Sequence, residues 1–197
     1  MPLPIDVWSD FVCPYCYAVT FSLKKLEESH DVEIRWHSYE LRPQGSLPIP
    51  PAYLARIEAE RPRLAQSMKE MYGIDLQQGA FGINSRPALI GEKYAQAHKL
   101  GTDYHDAINH AYWLEGRSID DRAVLREIAI GLGMEAAAFL AALDDPHYQA
   151  QVDADIQQAV EYGLSGVPAL IFEQKYLVSG ARPYEFLAEV VEQLQQV

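Results

Sequence analysis

The sequence predicts an α/β fold: a small mixed central sheet with flanking helices, interrupted by an all-helical insertion. Strand patterns occur only toward the two ends of the chain, at Ile5–Ser9, Val32–Leu41, Ala169–Phe172 and Tyr176–Ser179. Between the second and third of these, the periodic segments have the spacing of helices. The element order is therefore β-α-β, a helical block, then α-β-β-α. The block interrupts the sheet-forming unit instead of following it. The expected division is residues 1–45 with 145–197 as one unit and 46–144 as the insertion.

Ile5 to Ser9 reads as a short buried strand, followed by Asp10-Phe11-Val12 and then Cys13-Pro14-Tyr15-Cys16. From Tyr15 to about Glu28, Val19, Leu23 and Leu26 share one helical face. Pro14 suits the first turn of that helix, where its missing N–H does no harm. Val32 to Leu41 alternates as a second strand, with Val32, Ile34, Trp36 and Ser38 on one side. Pro43 to Pro51 is a proline-rich loop. Helical spacing then covers Tyr53–Tyr72, Pro87–Leu100 and Tyr104–Trp113. Ser118 to Asp121 reads as a capping box, opening a helix striped by Leu125, Ile128, Ala129 and Leu132, with Gly131 and Gly133 at its end. Glu135 to Leu143 continues the helical set.

Asp145-Pro146 has the cap and first-residue pattern of another helix, striped by Tyr148, Val152, Ile156 and Ala159. Ala169–Phe172 and Tyr176–Ser179, separated by Glu173-Gln174-Lys175, read as a hairpin. Pro183 opens a last helix carrying Leu187, Val190, Val191 and Leu194.

The 197 residues carry 28 acidic and 16 basic side chains, a formal net charge of −12. That balance argues against nucleic acid or an anionic membrane as a partner. No stretch approaches the ~18–20 apolar residues of a membrane span. The opening Met-Pro-Leu-Pro-Ile-Asp has neither the basic nor the apolar region of a signal peptide, so a cytoplasmic protein is expected. No pattern specifies an oligomeric state.

Cys13 and Cys16 are the chain's 2 cysteines. A disulfide between them closes almost no loop, so its value is chemical and not a staple. Two thiols at the start of a helix suit thiol–disulfide exchange. Unpaired N–H groups and the helix dipole favour an anion at the first thiol, and the second lies one turn inside, within reach of a mixed disulfide. Cys13 is accordingly read as an exposed, low-pKa nucleophile and Cys16 as the resolving thiol. The alternative, half of a zinc site, lacks further ligands: the 6 histidines are scattered, and His105 and His110 are not spaced to share a helical face. No metal is expected. Gly166-Val167-Pro168 before a short strand fits a tight turn, and X–Pro is the bond where cis is cheap. A plain strand-initiating proline is the alternative.

Trp8 to Tyr17 and Ser165 to Phe172 resemble the DsbA family, specifically its FrnE-like branch. The central block, including Asn84-Ser85-Arg86-Pro87-Ala88 ahead of a helix, resembles that branch more loosely. The resemblance implies a thioredoxin fold with a helical insert and an active-site set of Cys13, Cys16 and cis-Pro168. Pro14, Tyr15 and Val167 are the candidate substrate-contacting residues. It implies thiol–disulfide exchange with protein or peptide thiols and disulfides and a redox partner. No cofactor is implied beyond the redox-active cysteine pair, with glutathione as a candidate co-substrate.

Two alternative functions stand beside it. One is a glutathione-dependent transferase or isomerase of the kappa or hydroxychromene-carboxylate isomerase type; those relatives usually carry serine where Cys13 stands. The other is a chaperone-like binding module built on the insert. The sequence departs from thioredoxin-like enzymes at Val7, where a buried acid is common, which leaves the proton acceptor for Cys16 open. Asp10 is the nearest acid and reads as a solvated loop residue, and His37 reads as a surface histidine. The insert is expected to cap the active-site face, with Tyr53, Tyr72 and Phe81 as candidate groove residues.

Overall fold

The computed structural model describes residues 1–43, 45–77 and 81–196. Its centre is β1 (Leu3–Ser9), whose apolar residues suit a strand paired on both sides with both faces covered. β1 pairs in parallel with β2 (Val32–Ser38), from Leu3 opposite Val32 to Ser9 opposite Ser38. On its other side it pairs antiparallel with β3 (Ala169–Phe172), which forms a hairpin with β4 (Tyr176–Ser179). The strand order is β2-β1-β3-β4.

The period-2 alternation of β1 sorts its side chains between two layers. Leu3, Ile5 and Val7 face Val19, Leu23 and Leu26 of α1 (Pro14–Ser29) and Leu187 and Val191 of α8 (Tyr184–Gln195). Trp8 faces the other way, onto Ala159 of α7 (Pro146–Glu161). Each fully buried side chain of this kind stabilises the fold by roughly 1.5–3 kcal/mol relative to exposure. This is the thioredoxin-like α/β fold that the residue pattern and the resemblance lead one to expect.

Between β2 and α7 run α2 (Pro51–Tyr72), α3 (Arg86–Ala97), α4 (Gly101–Trp113), α5 (Arg122–Gly131) and α6 (Ala136–Ala142). Leu89, Tyr104, Ile108, Leu125 and Phe139 form the centre of their core, but that core also takes in Phe11 from the turn after β1 and Val152 from α7. The crossing of α3 and α4 needs Gly91, because a Cβ there would overlap the Tyr104 hydroxyl. Met68 of α2 packs separately on Tyr17 and Ala18 of α1.

Two local expectations are corrected. β2 stops at Ser38, short of Leu41, because β1 ends opposite it at Ser9 and Leu41 N–H turns to Asp10 Oδ2 at 2.7 Å, which draws the chain toward the turn after β1. The capping box at Ser118 does not form: Ser118 donates to Asp120, and α5 is capped by Asp121, whose carboxylate accepts Ala123 N–H at 2.8 Å. By contrast, Asp145 caps α7 through His147 N–H at 2.8 Å, with Pro146 in the first turn.

The outer edge of β2 is shielded by side chains instead of by another strand. Trp36 O accepts from Gln96 Nε2 at 3.1 Å, and Ser38 N–H donates to Asp155 Oδ2 at 2.7 Å. Asp155 also pairs with buried Lys93 at 2.5 Å and with His37 Nδ1 at 3.0 Å, while His37 Nε2 lies 2.9 Å from Asp6 Oδ1. His37 is thus not the surface histidine expected: it is half-buried, stacks on Trp8 at 4.4 Å and is held between two carboxylates. Burial opposes its charge, but Asp155 and Asp6 outweigh that and raise its pKa. For Asp155 burial likewise opposes the charge, and His37 and Lys93 overcome it, holding the carboxyl below its ordinary range.

Asp155→Ala should therefore cost about 3–5 kcal/mol, since it strands a buried lysine and a strand N–H. Urea denaturation at neutral pH measures this. A group with a depressed native pKa stabilises fully above its unfolded value of about 3.9 and loses that contribution as pH falls through the native value. The gap between wild type and Asp155→Asn should accordingly close in acid.

Candidate active site

The chain leaves the C-terminal end of β1 and enters α1 within four residues, Asp10 to Cys13. Cys13 N–H donates to Asp10 O at 3.0 Å, closing the turn, and Cys13 O accepts the first helical bond from Tyr17 N–H at 3.1 Å. Cys13 is thus the N-cap residue of α1, extended at φ −92° and ψ 115°, with no side-chain oxygen to occupy the first N–H groups. Those groups remain for the sulfur. Pro14 at the first helical position supplies no donor, so the N–H groups of Tyr15 and Cys16 are the ones that face it.

Both thiols are free and both are buried, Cys13 at 4% exposure and Cys16 at 2%. Cys13 is held below the ordinary thiol range, first by the Cys16 thiol donating to it and then by the Cys16 and Tyr15 N–H groups; burial and the Asp10 charge work against these. Cys16 is pushed well above that range, first by burial and then by its neighbour Cys13. The expectation of an exposed Cys13 is corrected. Its Sγ lies 3.6 Å from Val167 O, so the loop before β3 closes over it, and the accessible surface belongs to its neighbours: Tyr15 is 55% exposed, and Val12, Pro14 and Val167 are half-buried.

The Val167–Pro168 peptide bond is cis, and Pro168 is buried. Pro168 O accepts from Gly180 N–H at 2.8 Å, tying the loop to the end of β4. A cleft of about 260 Å³ runs along this loop and the β4 edge, lined by Gly163, Ser165, Val167, Pro168 and Leu177 among others.

Asp10 is fully enclosed, at 0% exposure, and is not the solvated loop residue that its sequence neighbours suggest. Its carboxylate accepts Leu41 N–H at 2.7 Å, Val12 N–H at 3.3 Å and the Ser85 hydroxyl. Burial nevertheless wins over these donors and pushes its pKa up to about 6, with the charge of Glu40 adding to the rise. Ser85 begins α3 within the Asn84-Ser85-Arg86 motif, and Arg86 pairs with Glu40 at 3.3 Å and Asp153 at 2.5 Å. The position common for a buried acid is Val7, and it is wholly inside the apolar core. His37 belongs to the Asp6–Asp155 network and makes no bond to the cysteine turn.

The helical block reaches this turn through a residue that the sequence reading passed over. Trp113 Nε1–H donates to Phe11 O at 3.0 Å, and its ring stacks on Tyr17 of α1. The three candidate groove residues have other neighbours: Tyr53 lies under Arg56, Phe81 under Arg61, and Tyr72 stacks on Phe21 at 4.8 Å. Among the described residues, no group of three or more His, Cys, Asp or Glu is arranged to hold a metal ion.

Residues 4–192 match the family model of the DSBA-like thioredoxin domain. YwbO of Bacillus subtilis is 27% identical over 176 residues, covering 87% of this chain and 87% of YwbO. The 2-hydroxychromene-2-carboxylate isomerase of Pseudomonas putida is 25% identical over 177 residues, covering 84% of this chain and 83% of that enzyme. Among solved structures, a probable DsbA oxidoreductase, SCO1869 of Streptomyces coelicolor, superposes with a TM-score of 0.84 and 26% identity, covering 97% of this chain and 89% of that one.

The electrostatics of the pair are open to direct test. Iodoacetamide labelling across pH should show one fast thiol titrating below the usual value of about 8.5, mapped by mass spectrometry to Cys13. Cys16 should resist labelling until the chain is denatured. Fast labelling at Cys16 would reverse the order of the two thiols.

Proposed function

The chain belongs to the DSBA-like thioredoxin domain family, and on that premise we propose that it is a thiol–disulfide oxidoreductase acting on protein or peptide thiols and disulfides through Cys13 and Cys16. The observation that carries the reading is a hydrogen-bonded pair of free thiols at a helix start, displaced in opposite directions of acidity. One is prepared to attack as thiolate, and the other keeps its proton until a mixed disulfide exists.

In the reducing direction, the Cys13 thiolate attacks a substrate disulfide. A Cys13–substrate S–S bond forms, and the substrate's own S–S bond breaks to release one thiolate. Cys16 then loses its proton and attacks Cys13 Sγ, forming the Cys13–Cys16 disulfide and releasing the second thiolate. The substrate gains two electrons and the pair loses two. The same steps run backward oxidise a substrate dithiol, and a redox partner resets the pair. Pro14, Tyr15 and Val167 are the proposed substrate contacts, supported by the 3.6 Å approach of Val167 O to Cys13 Sγ and by their partial exposure; a substrate segment would pair strand-like with the Val167 backbone. The pair needs no further cofactor, and glutathione is a candidate thiol for the reset.

The likeness to the Pseudomonas isomerase favours one second reading, a glutathione-dependent isomerisation in which Cys16 has no role. Serine variants separate the two. Under the redox reading, Cys13→Ser and Cys16→Ser should each lower multiple-turnover disulfide reduction by on the order of 100-fold or more. Cys16→Ser should also accumulate mixed disulfides, seen on non-reducing gels and removed by dithiothreitol. Full glutathione-dependent turnover of 2-hydroxychromene-2-carboxylate by Cys16→Ser, with no disulfide turnover by wild type, would select the isomerase.

A further inference from the structure

We propose that Asp10 is the proton acceptor for Cys16, the group that decides when the resolving thiol becomes a nucleophile; the inference rests on the redox reading of the cysteine pair. Cys16 is enclosed, so its proton has no direct route to water. Val7 provides no acid. Asp10 is held between the two cysteines by its own backbone: its carbonyl accepts Cys13 N–H at 3.0 Å, and its N–H donates to the Cys16 sulfur. Its carboxylate is fully enclosed and lies close enough to Cys13 for the two charges to oppose each other.

That opposition is the working part. A buried carboxylate and a buried thiolate at this separation do not comfortably ionise together, so they titrate as a pair. At neutral pH Asp10, raised only to about 6, is a carboxylate, and its charge is the one that opposes ionisation of Cys13. When Cys13 attacks a substrate disulfide, its charge leaves with the departing thiolate, and Asp10 remains as a buried carboxylate at the cysteine turn. That carboxylate accepts the proton of Cys16. Cys16 attacks Cys13 Sγ, the second substrate thiolate leaves, and Asp10 is protonated until it equilibrates with water. Electrons move only between the sulfurs; Asp10 handles the one proton that the closing step must shed.

The surroundings tune the acidity of Asp10. Glu40, in the segment after β2, is a near neighbour of Asp10, and its Oε1 is buried with no hydrogen-bond partner. Its other oxygen meets Arg86 at the start of α3, which continues to the exposed carboxylate of Asp153 on α7. The remaining groups facing Asp10 are the Ser85 hydroxyl and Tyr112 of α4, the latter with Arg61 of α2 nearby. Around Asp10, Glu40 is the charged group whose removal most directly makes it more acidic.

Stopped-flow reaction with the aromatic disulfide dithiobis(nitrobenzoate) separates the steps. The first nitrothiobenzoate released reports attack by Cys13, and the second reports closure by Cys16. In Asp10→Asn the second phase should slow about tenfold or more at pH 7, at the lower end of what losing a positioned proton acceptor costs. Its midpoint should move up toward the free-thiol value of about 8.5. The first-phase midpoint should move down, because the opposing charge is gone. Damage to the fold alone would not shift the two midpoints in opposite directions.

Glu40→Gln is the second variant: by making Asp10 more acidic it should lower the second-phase midpoint, and an unmoved midpoint would overturn the proposal even where Asp10→Asn fails to fold. Equal slowing of both phases in Asp10→Asn at unchanged midpoints, or an unaltered second phase, would also overturn it. The mass of the wild-type product separates the two levels of inference. Two nitrothiobenzoate adducts without an internal disulfide sink the redox reading and this proposal together. An internal disulfide formed equally well by wild type and Asp10→Asn sinks the Asp10 role alone.

Discussion

The carboxylate of Asp10 joins three segments that are distant in the chain. It accepts from Val12 in its own turn, from Leu41 in the segment after β2, and from Ser85 at the head of α3. Those bonds set the path by which the backbone leaves the central strand and enters α1, and so set where the Cys13 sulfur lies relative to Val167. They also draw the chain after Ser38 away from the sheet, ending β2 and directing the chain toward the helical block. A buried acceptor is tolerated only when donors surround it, and here the donors are backbone and hydroxyl groups, with no cation among its hydrogen-bond partners.

The absence of a cation among those partners sets the site apart from the rest of the buried polar structure. Asp155, His37, Asp6 and Lys93 interlock over the edge of β2 as alternating acids and bases, and Trp8 packs flat on the imidazole. His105 and Glu92 pair at 2.7 Å inside the helical core, with His105 stacked on Trp36. The first of those clusters places opposite charges together and the second sets a carboxylate against an imidazole, which suits a structural role. Around Cys13 the neighbours are like-charged acids: Asp10, then Glu40 beyond it. A site with one more potential negative charge than it can stabilise is one whose protonation must follow the chemistry of its sulfurs.

The helical block is part of this arrangement and not an appendage. Its core is incomplete without Phe11 and Val152, both from the sheet-bearing unit, and Trp113 grips the backbone just before the cysteines. Met68 adds a second attachment on the outer face of α1. Since α1 carries both thiols, packing of the block on that helix and on the turn before it limits the motions available to the sulfurs.

Local chemistry was legible in the sequence. The hairpin strands Ala169–Phe172 and Tyr176–Ser179 follow from their composition and turn. The Asp145-Pro146 cap follows from residues one and two apart, and the two thiols at a helix start follow from their spacing and Pro14. These depend on neighbours within a turn of chain, where sequence and space coincide. What the tertiary structure alone decided concerns groups whose partners lie far along the chain. Asp10 reads as a loop aspartate until Leu41 and Ser85 enclose it, and His37 as a surface histidine until Asp155 crosses from α7. Cys13 reads as exposed until the Val167 carbonyl closes over it. Burial, and with it the energy of a charge, is set by every element packed around a group; a chain read in order supplies the ionisable residues, and only their assembly determines which of them are free to lose or take a proton.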